Sequence, residues 1–80
     1  MNVDKAFGEV LKRHRSRSKL SQNKLAELSE LDRTYVSLLE RGLRQPTLLT
    51  LIKLAGSLKV EPSDLVSETM DRIGASHSRR

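Results

Sequence analysis

Arg33, Thr34, Ser37 and Arg41 are the side chains whose types and spacing suit chemistry best, since they recur along one side of a helical pattern. Guanidinium and hydroxyl groups in such a row offer hydrogen bonds to base edges and to phosphate oxygens. The charge around them points the same way. Lys12, Arg13, Arg15, Arg17, Lys19 and Lys24 lie together, with no acid between Glu9 and Glu27, and Arg33, Arg41 and Arg44 follow. The end of the chain is locally acidic at Glu61, Asp64, Glu68 and Asp71. A charge run alone can be a solvated helix face. Its coincidence with the row of donors favours phosphate binding, with the acidic end turned away from the nucleic acid.

Those donors need a scaffold, and residues Ser21 to Gly42 supply one. Two short helical patterns are separated by a break of about three residues. Leu25, Ala26 and Leu28 form the apolar side of the first, and Val36 and Leu39 point inward from the second, with Leu31 apolar in the break. The small Ala26 permits the close approach that a crossing at roughly 90–120° requires. This is the build of a helix-turn-helix whose second helix enters the major groove.

The other elements read as helices too. Val3, Phe7, Val10, Leu11 and His14 make an apolar stripe over 3–17, with His14 at its rim. Ser21 and Asp32 cap the second and third helices. Lys24 at the third helical position leaves the second without a full capping box. Gly42 stops the third helix near Arg41. Leu43 to Pro46 form a loop, and Thr47 caps a fourth helix striped by Leu48, Leu51, Ile52, Ala55 and Leu58. Glu61 to Val66 begin a fifth helix, with Pro62 in its first turn, extending through Met70 and Ile73. The expected fold is all-α, with residues 1–73 as one domain and 74–80 as a frayed, flexible basic tail.

Composition excludes several classes. Eighty residues carry a net charge of +5 and a sequence pI near 10.1, which favours an anionic partner. There is no cysteine, so no disulfide or thiolate metal site, and His14 and His77 have no partners at metal spacing. No long apolar run suggests a membrane span or signal peptide, so the expectation is a cytoplasmic protein. Aromatic residues are only 2%, Phe7 and Tyr35, too few for stacking along a single strand. No nucleophile with its base, carboxylate pair or phosphate-cradling loop is apparent, so neither an enzyme nor a cofactor is expected.

Gln22, Leu25-Ala26, Leu31, Val36, Leu39-Glu40-Arg41-Gly42 and Pro46, followed by the fourth-helix pattern, resemble the Cro/CI-type (XRE) helix-turn-helix transcription regulators. The likeness runs from about Glu9 to Val66, and the L-D-R-T-Y-V-S-x-L-E-R-G wording is also similar to that of restriction-modification controller proteins. The resemblance implies a compact five-helix, lambda-repressor-like DNA-binding domain. It implies that Gln22 holds a phosphate at the start of the second helix, where the helix dipole also attracts anions. It places Arg33 and Thr34 at base edges, Ser37 one turn on, and Arg41 and Arg44 on the backbone, with Arg17 and Lys24 among the phosphate-binding cations. Leu38 either packs against a neighbour or touches a thymine methyl. Tyr35 either packs against the turn or reaches a phosphate. Arg15 either forks onto the Glu40 carboxylate, tying the first helix to the third, or binds phosphate. The family prefers glycine where this chain has Glu30, a position that often takes the left-handed conformation.

The resulting expectation is a regulator of double-stranded DNA that works as a homodimer on a palindromic operator and controls its own gene. A single recognition helix reads too few base pairs to find a site against genomic competition. Val60, Leu65, Val66, Met70 and Ile73 are the expected dimer surface, because exposed together they form a patch that monomers avoid. No sensor for a small-molecule effector is apparent. The competing reading is a DNA-binding antitoxin or a protein-interaction adaptor on the same bundle.

Overall fold

Polar side chains at three helix starts accept hydrogen bonds from helical N–H groups that lack an intrahelical partner, and these caps set the register of the bundle. Asn2 Oδ1 accepts from Lys5 N at 2.8 Å, Ser21 Oγ from Lys24 N at 2.9 Å, and Thr47 Oγ1 from Thr50 N at 3.0 Å. The computed structural model describes residues 2–74 and folds them into α1 (Val3–Arg17), α2 (Gln22–Ser29), α3 (Arg33–Glu40), α4 (Leu48–Leu58) and α5 (Pro62–Ile73). All of the expected tail except Gly74, including His77, lies outside the described residues. Asp32 occupies the N-cap of α3 as expected, but its side chain makes no capping bond.

The helix ends share one device. α1, α2 and α4 each end on a residue with positive φ: Lys19 at 59°, Glu30 at 58° and Lys59 at 61°. In each, the next residue donates its N–H five residues back: Leu20 to Arg15 O, Leu31 to Ala26 O and Val60 to Ala55 O. This is the Schellman closure, which satisfies orphan carbonyls and turns an apolar side chain back onto the helix. Leu20, Leu31 and Val60 accordingly pack against the core. The apolar residue in the break, Leu31, is therefore part of the turn's own mechanism. α3 closes the same way through Gly42 at φ 75°, with Leu43 N–H on Leu38 O.

Val10, Leu11, Leu25, Val36, Leu39, Leu54 and Leu65 are the largest fully buried side chains. α3 packs on α1 and α2, and α4 on α2 and α5. α5 runs antiparallel along α1, with ion pairs Arg13–Glu68 at 2.8 Å and Arg72–Glu9 at 3.4 Å. Several stripe assignments need correction. Val3, Leu28, Leu48 and Ile52 are exposed. α4 has apolar residues at 48, 49, 51, 52, 54, 55 and 58, enough for two overlapping stripes, and the core takes Leu54, Ala55 and Leu58 with Thr50. His14 is buried at the α1–α5 seam, its Nε2 2.9 Å from Glu68 Oε1. Burial pushes the Glu68 carboxyl up, but hydrogen bonds from Arg13 and His14, and their charge, outweigh it and hold it below the ordinary carboxylate range. No helix among the described residues is long and apolar enough to cross a membrane.

Candidate nucleic-acid interface

Val36 and Leu39 are fully buried and anchor one side of α3. The opposite side must then face outward, because α3 turns once every 3.6 residues. Arg33 and Thr34 are exposed, Ser37 and Leu38 are half-buried, and Arg41 sits exposed at the C-cap. Arg33, Ser37 and Arg41 recur every fourth residue and form one row along the helix. Arg17, Lys24 and Arg44 are exposed as well. The half-buried Tyr35 packs against the core and donates its hydroxyl to Gln45 O at 3.3 Å, tying α3 to the loop that follows.

α3 is held from behind by a short approach and a buried ion pair. Gly8 of α1 lies so close to the end of α3 that an added Cβ would sit 2.5 Å from Leu39 O and 2.6 Å from Glu40 O. Gly42 likewise abuts Lys5 Cα, at 2.9 Å from the position of a Cβ. Arg15 Nε donates to Glu40 Oε2 at 2.5 Å, Arg15 Nη2 to Glu40 Oε1 at 3.0 Å, and Arg15 Nη1 to Leu20 O at 2.9 Å. The Glu40 side chain is 3% exposed and that of Arg15 15%. The hydrogen bond to Glu40 raises the Arg15 pKa, desolvation lowers it, and the Glu40 charge adds to the rise. Two parallel bonds between planar groups fix angle as well as distance, so α3 cannot roll against α1 without breaking the fork.

The same carboxylate reaches α2. Gln22 Nε2 donates to Glu40 Oε1 at 2.9 Å, and Gln22 Oε1 accepts from Arg33 Nη1 at 3.1 Å. The structure thus brings Arg15, Gln22, Arg33 and Glu40 into one polar chain across three helices. Sequence reasoning placed Gln22 and Arg33 separately and did not join them. Gly8 was missed, although a glycine inside an amphipathic helix is itself a signal of close backbone approach.

The acidic end differs from expectation at two residues, Leu65 and Val60. Leu65 is fully buried in the protomer's own core and does not belong to a dimer surface. α5 has two adjacent apolar rows, and Leu65 and Thr69 turn inward while Val66 and Met70 remain 45% and 38% exposed. Val66, Met70 and Ile73 line a groove with Val3, Phe7 and Leu51. Val60 is half-buried against the core and does not line it. No cluster of His, Cys, Asp and Glu among the described residues has the makings of a metal site.

Comparison with known proteins agrees with this geometry. A family profile described as helix-turn-helix matches residues 11–65. The control protein C.BamHI of Bacillus amyloliquefaciens is 41% identical over 69 residues, 85% of each chain. The crystal structure of the restriction-modification controller protein C.AhdI from Aeromonas hydrophila is 46% identical and superposes with a TM-score of 0.75, over 76% of this chain and 92% of that one. The controller C.Esp1396I, solved as a tetramer with its natural 35-base-pair operator, is 29% identical with a TM-score of 0.80, over 91% of this chain and 96% of that one.

Proposed function

The chain belongs to the helix-turn-helix family, and on that premise we propose that it is a sequence-specific, DNA-binding transcription regulator of the controller type. The observation that carries this reading is the exposed row Arg33, Thr34 and Ser37 at the start of α3, with α3 clamped by the Arg15–Glu40 fork. Arg33 reads a guanine through its paired N–H groups. Thr34 and Ser37 read neighbouring base edges, while Arg17, Lys24, Arg41 and Arg44 neutralise phosphates. Gln22 also touches a phosphate at the α2 N-terminus.

The protein acts as a homodimer, with half-site centres roughly 34 Å apart on a palindrome. Val66, Met70 and Ile73, joined by Val3 and Leu51, form the face that a second copy covers. Binding of two dimers to adjacent sites, as the tetramer of C.Esp1396I on its operator suggests, makes the response depend on the protein's own concentration. The protein is cytoplasmic, in the company of its DNA, and controls its own gene.

The test is binding to DNA upstream of its own gene and to scrambled DNA of equal length, at two salt concentrations. Tight binding to the upstream fragment that survives the higher salt is the expected result. Equal, steeply salt-sensitive binding to both fragments would show that only the phosphate term operates and would refute autoregulation through that site.

A further inference from the structure

Met1 and Met70 are the only sulfur-bearing residues of the chain, which has no cysteine. Met1 lies outside the described residues, while Met70 stands one turn beyond Val66 in the outward row of α5 and is 38% exposed. A small oxidant can therefore reach its thioether in the single protomer. The surroundings are almost wholly apolar, since Val3, Phe7, Leu51, Val66 and Ile73 line the same groove of about 200 Å³. Of the lining residues, only Thr69 and Gln45 carry a side-chain hydrogen-bond donor. The Thr69 hydroxyl is already committed, donating to Leu65 O at 2.7 Å. Leucine fills the volume of a methionine with little loss, so the sulfur adds a reactivity that packing does not require.

We propose that Met70 is an oxidation site through which peroxides control the assembly of this protein. This rests on the reading of the groove as the face that a second copy covers, and deepens it. A sulfur lone pair attacks one oxygen of the peroxide. An S–O bond forms, the O–O bond breaks, and the departing hydroxide takes the proton of the transferred oxygen and leaves as water. The sulfur loses two electrons and the peroxide gains them. The product, a sulfoxide, puts a polar acceptor where an apolar sulfur stood. In the open groove water satisfies that oxygen. Under a second copy it is desolvated against aliphatic side chains, with at most the Gln45 amide to replace the water, and such burial is unfavourable. Two-fold symmetry places two such oxygens in each dimer, so the penalty counts twice. Oxidation thus favours the single protomer, which reads too few base pairs to hold a site on DNA. Because the second copy also covers the sulfur, oxidation proceeds through the free protomer, and its rate falls as the protein concentration rises.

The experiment treats the full chain with hydrogen peroxide. Peptide mass analysis should find one added oxygen on Met70, gained several-fold faster at protein concentrations below the dimer dissociation constant than far above it. The oxidised protomer should still melt as a folded domain, since Met70 stands outside the buried core cluster. In sedimentation its dimer dissociation constant should rise roughly hundredfold, about tenfold for each buried sulfoxide. Reduction by the two methionine sulfoxide reductases, one for each epimer, should restore the original constant. Met70→Leu is the second arm: whatever its own dimer constant, peroxide should leave that constant where it was. A sulfoxide that forms on Met70 and leaves the dimer intact overturns the proposal. So does a Met70 that peroxide does not oxidise, an equal rate at both concentrations, or a Met70→Leu protein that loses its dimer on treatment. Met70→Asp separates the two levels. If it dissociates the dimer and the sulfoxide does not, the oxidation site alone fails. If neither disturbs the dimer, or no dimer forms, the reading of the face fails and the proposal with it.

Discussion

Replacing Gly8 by alanine should destabilise this protein, against the usual sign for such a change inside a helix. Alanine normally gains about 0.5–1 kcal/mol over glycine there, because glycine loses more backbone freedom on folding. At Gly8 the new Cβ would stand 2.5 Å from Leu39 O, 2.6 Å from Glu40 O and 2.9 Å from Glu40 C. An ordinary carbon–oxygen contact is about 3.3 Å or longer, so the shortfall is roughly 0.8 Å. The obstructing atoms are backbone, so no side chain can swing aside, and α1 must lift from α3. A gap of that size forfeits a quarter to a half of the dispersion energy of the contacts it opens. Among those contacts are Leu11 and Leu39, both fully buried. Overpacking typically costs about 1–3 kcal/mol. After the propensity gain, the net loss should be about 1–2 kcal/mol, a fall in Tm of roughly 4–15 °C for a domain of this size. Gly56 is the internal control. It also lies within a helix, α4, but nothing stands within 4 Å of an added Cβ. Gly56→Ala should raise Tm by a few degrees. Melting both variants by far-ultraviolet circular dichroism decides the matter. If Gly8→Ala melts at or above the parent, the close crossing of α1 on the end of α3 is wrong.

Glu40→Ala strands the Arg15 charge at a site where its side chain is 15% exposed, and should cost roughly 3–5 kcal/mol in chemical denaturation. A double-mutant cycle with Arg15→Met should return a coupling above about 1 kcal/mol, and a coupling near zero would remove the fork as a support of α3. Glu30→Gly should raise stability by up to about 1 kcal/mol, since the left-handed conformation costs a residue with a Cβ roughly 1–2 kcal/mol and glycine's extra freedom returns part of it. A lower Tm for this variant would contradict the turn. Glu68 is held below the ordinary carboxylate range, so its contribution is present above its unfolded pKa of about 4.3 and is lost as pH falls through the lower folded value. Glu68→Gln should therefore melt below the parent at pH 7, with the difference shrinking as the pH falls through the lowered folded value and gone beneath it; a difference that persists once the carboxyl is protonated would show that the charge is not its source. Met70→Asp should leave the protomer folded but shift sedimentation from dimer to monomer and weaken operator binding at least tenfold. An unchanged dimer would place the interface elsewhere.

How much of this could be read in the sequence depended on whether a signal was local. Ser21 and Thr47 announce helix starts through their own hydroxyls, and both caps form at those residues. Val36 and Leu39 could be placed inward because, three residues apart, they share one side of α3. α4 and α5 were harder, because each holds more apolar residues than the core can accept. Periodicity alone does not choose between rows one position apart, so Leu48 was placed inward and proved exposed, while Leu65 was placed on a dimer surface and proved buried. That choice is made by the neighbouring helices, whose arrangement is not a local property.

The polar contacts show the same division with greater consequence. The Gln22–Glu40 bond spans 18 residues and the His14–Glu68 contact 54, so neither leaves a periodic trace. What the sequence does display is the strain at Glu30, since glycine suits that turn better. Lys19 and Lys59 occupy the same left-handed position at two other helix ends. Three helices thus end on residues that dislike the conformation, and at each the following Leu20, Leu31 or Val60 packs into the core. Full burial of one large aliphatic side chain is worth about 1.5–3 kcal/mol, so even these partly buried ones offset much of the roughly 1–2 kcal/mol cost of the left-handed residue. The turn of the helix-turn-helix is therefore held by its apolar residue rather than by its cap. Leu31→Ala should accordingly loosen the angle between α2 and α3 and cost more stability than Glu30→Gly restores. Equal and opposite effects of the two changes in melting experiments would refute that ordering.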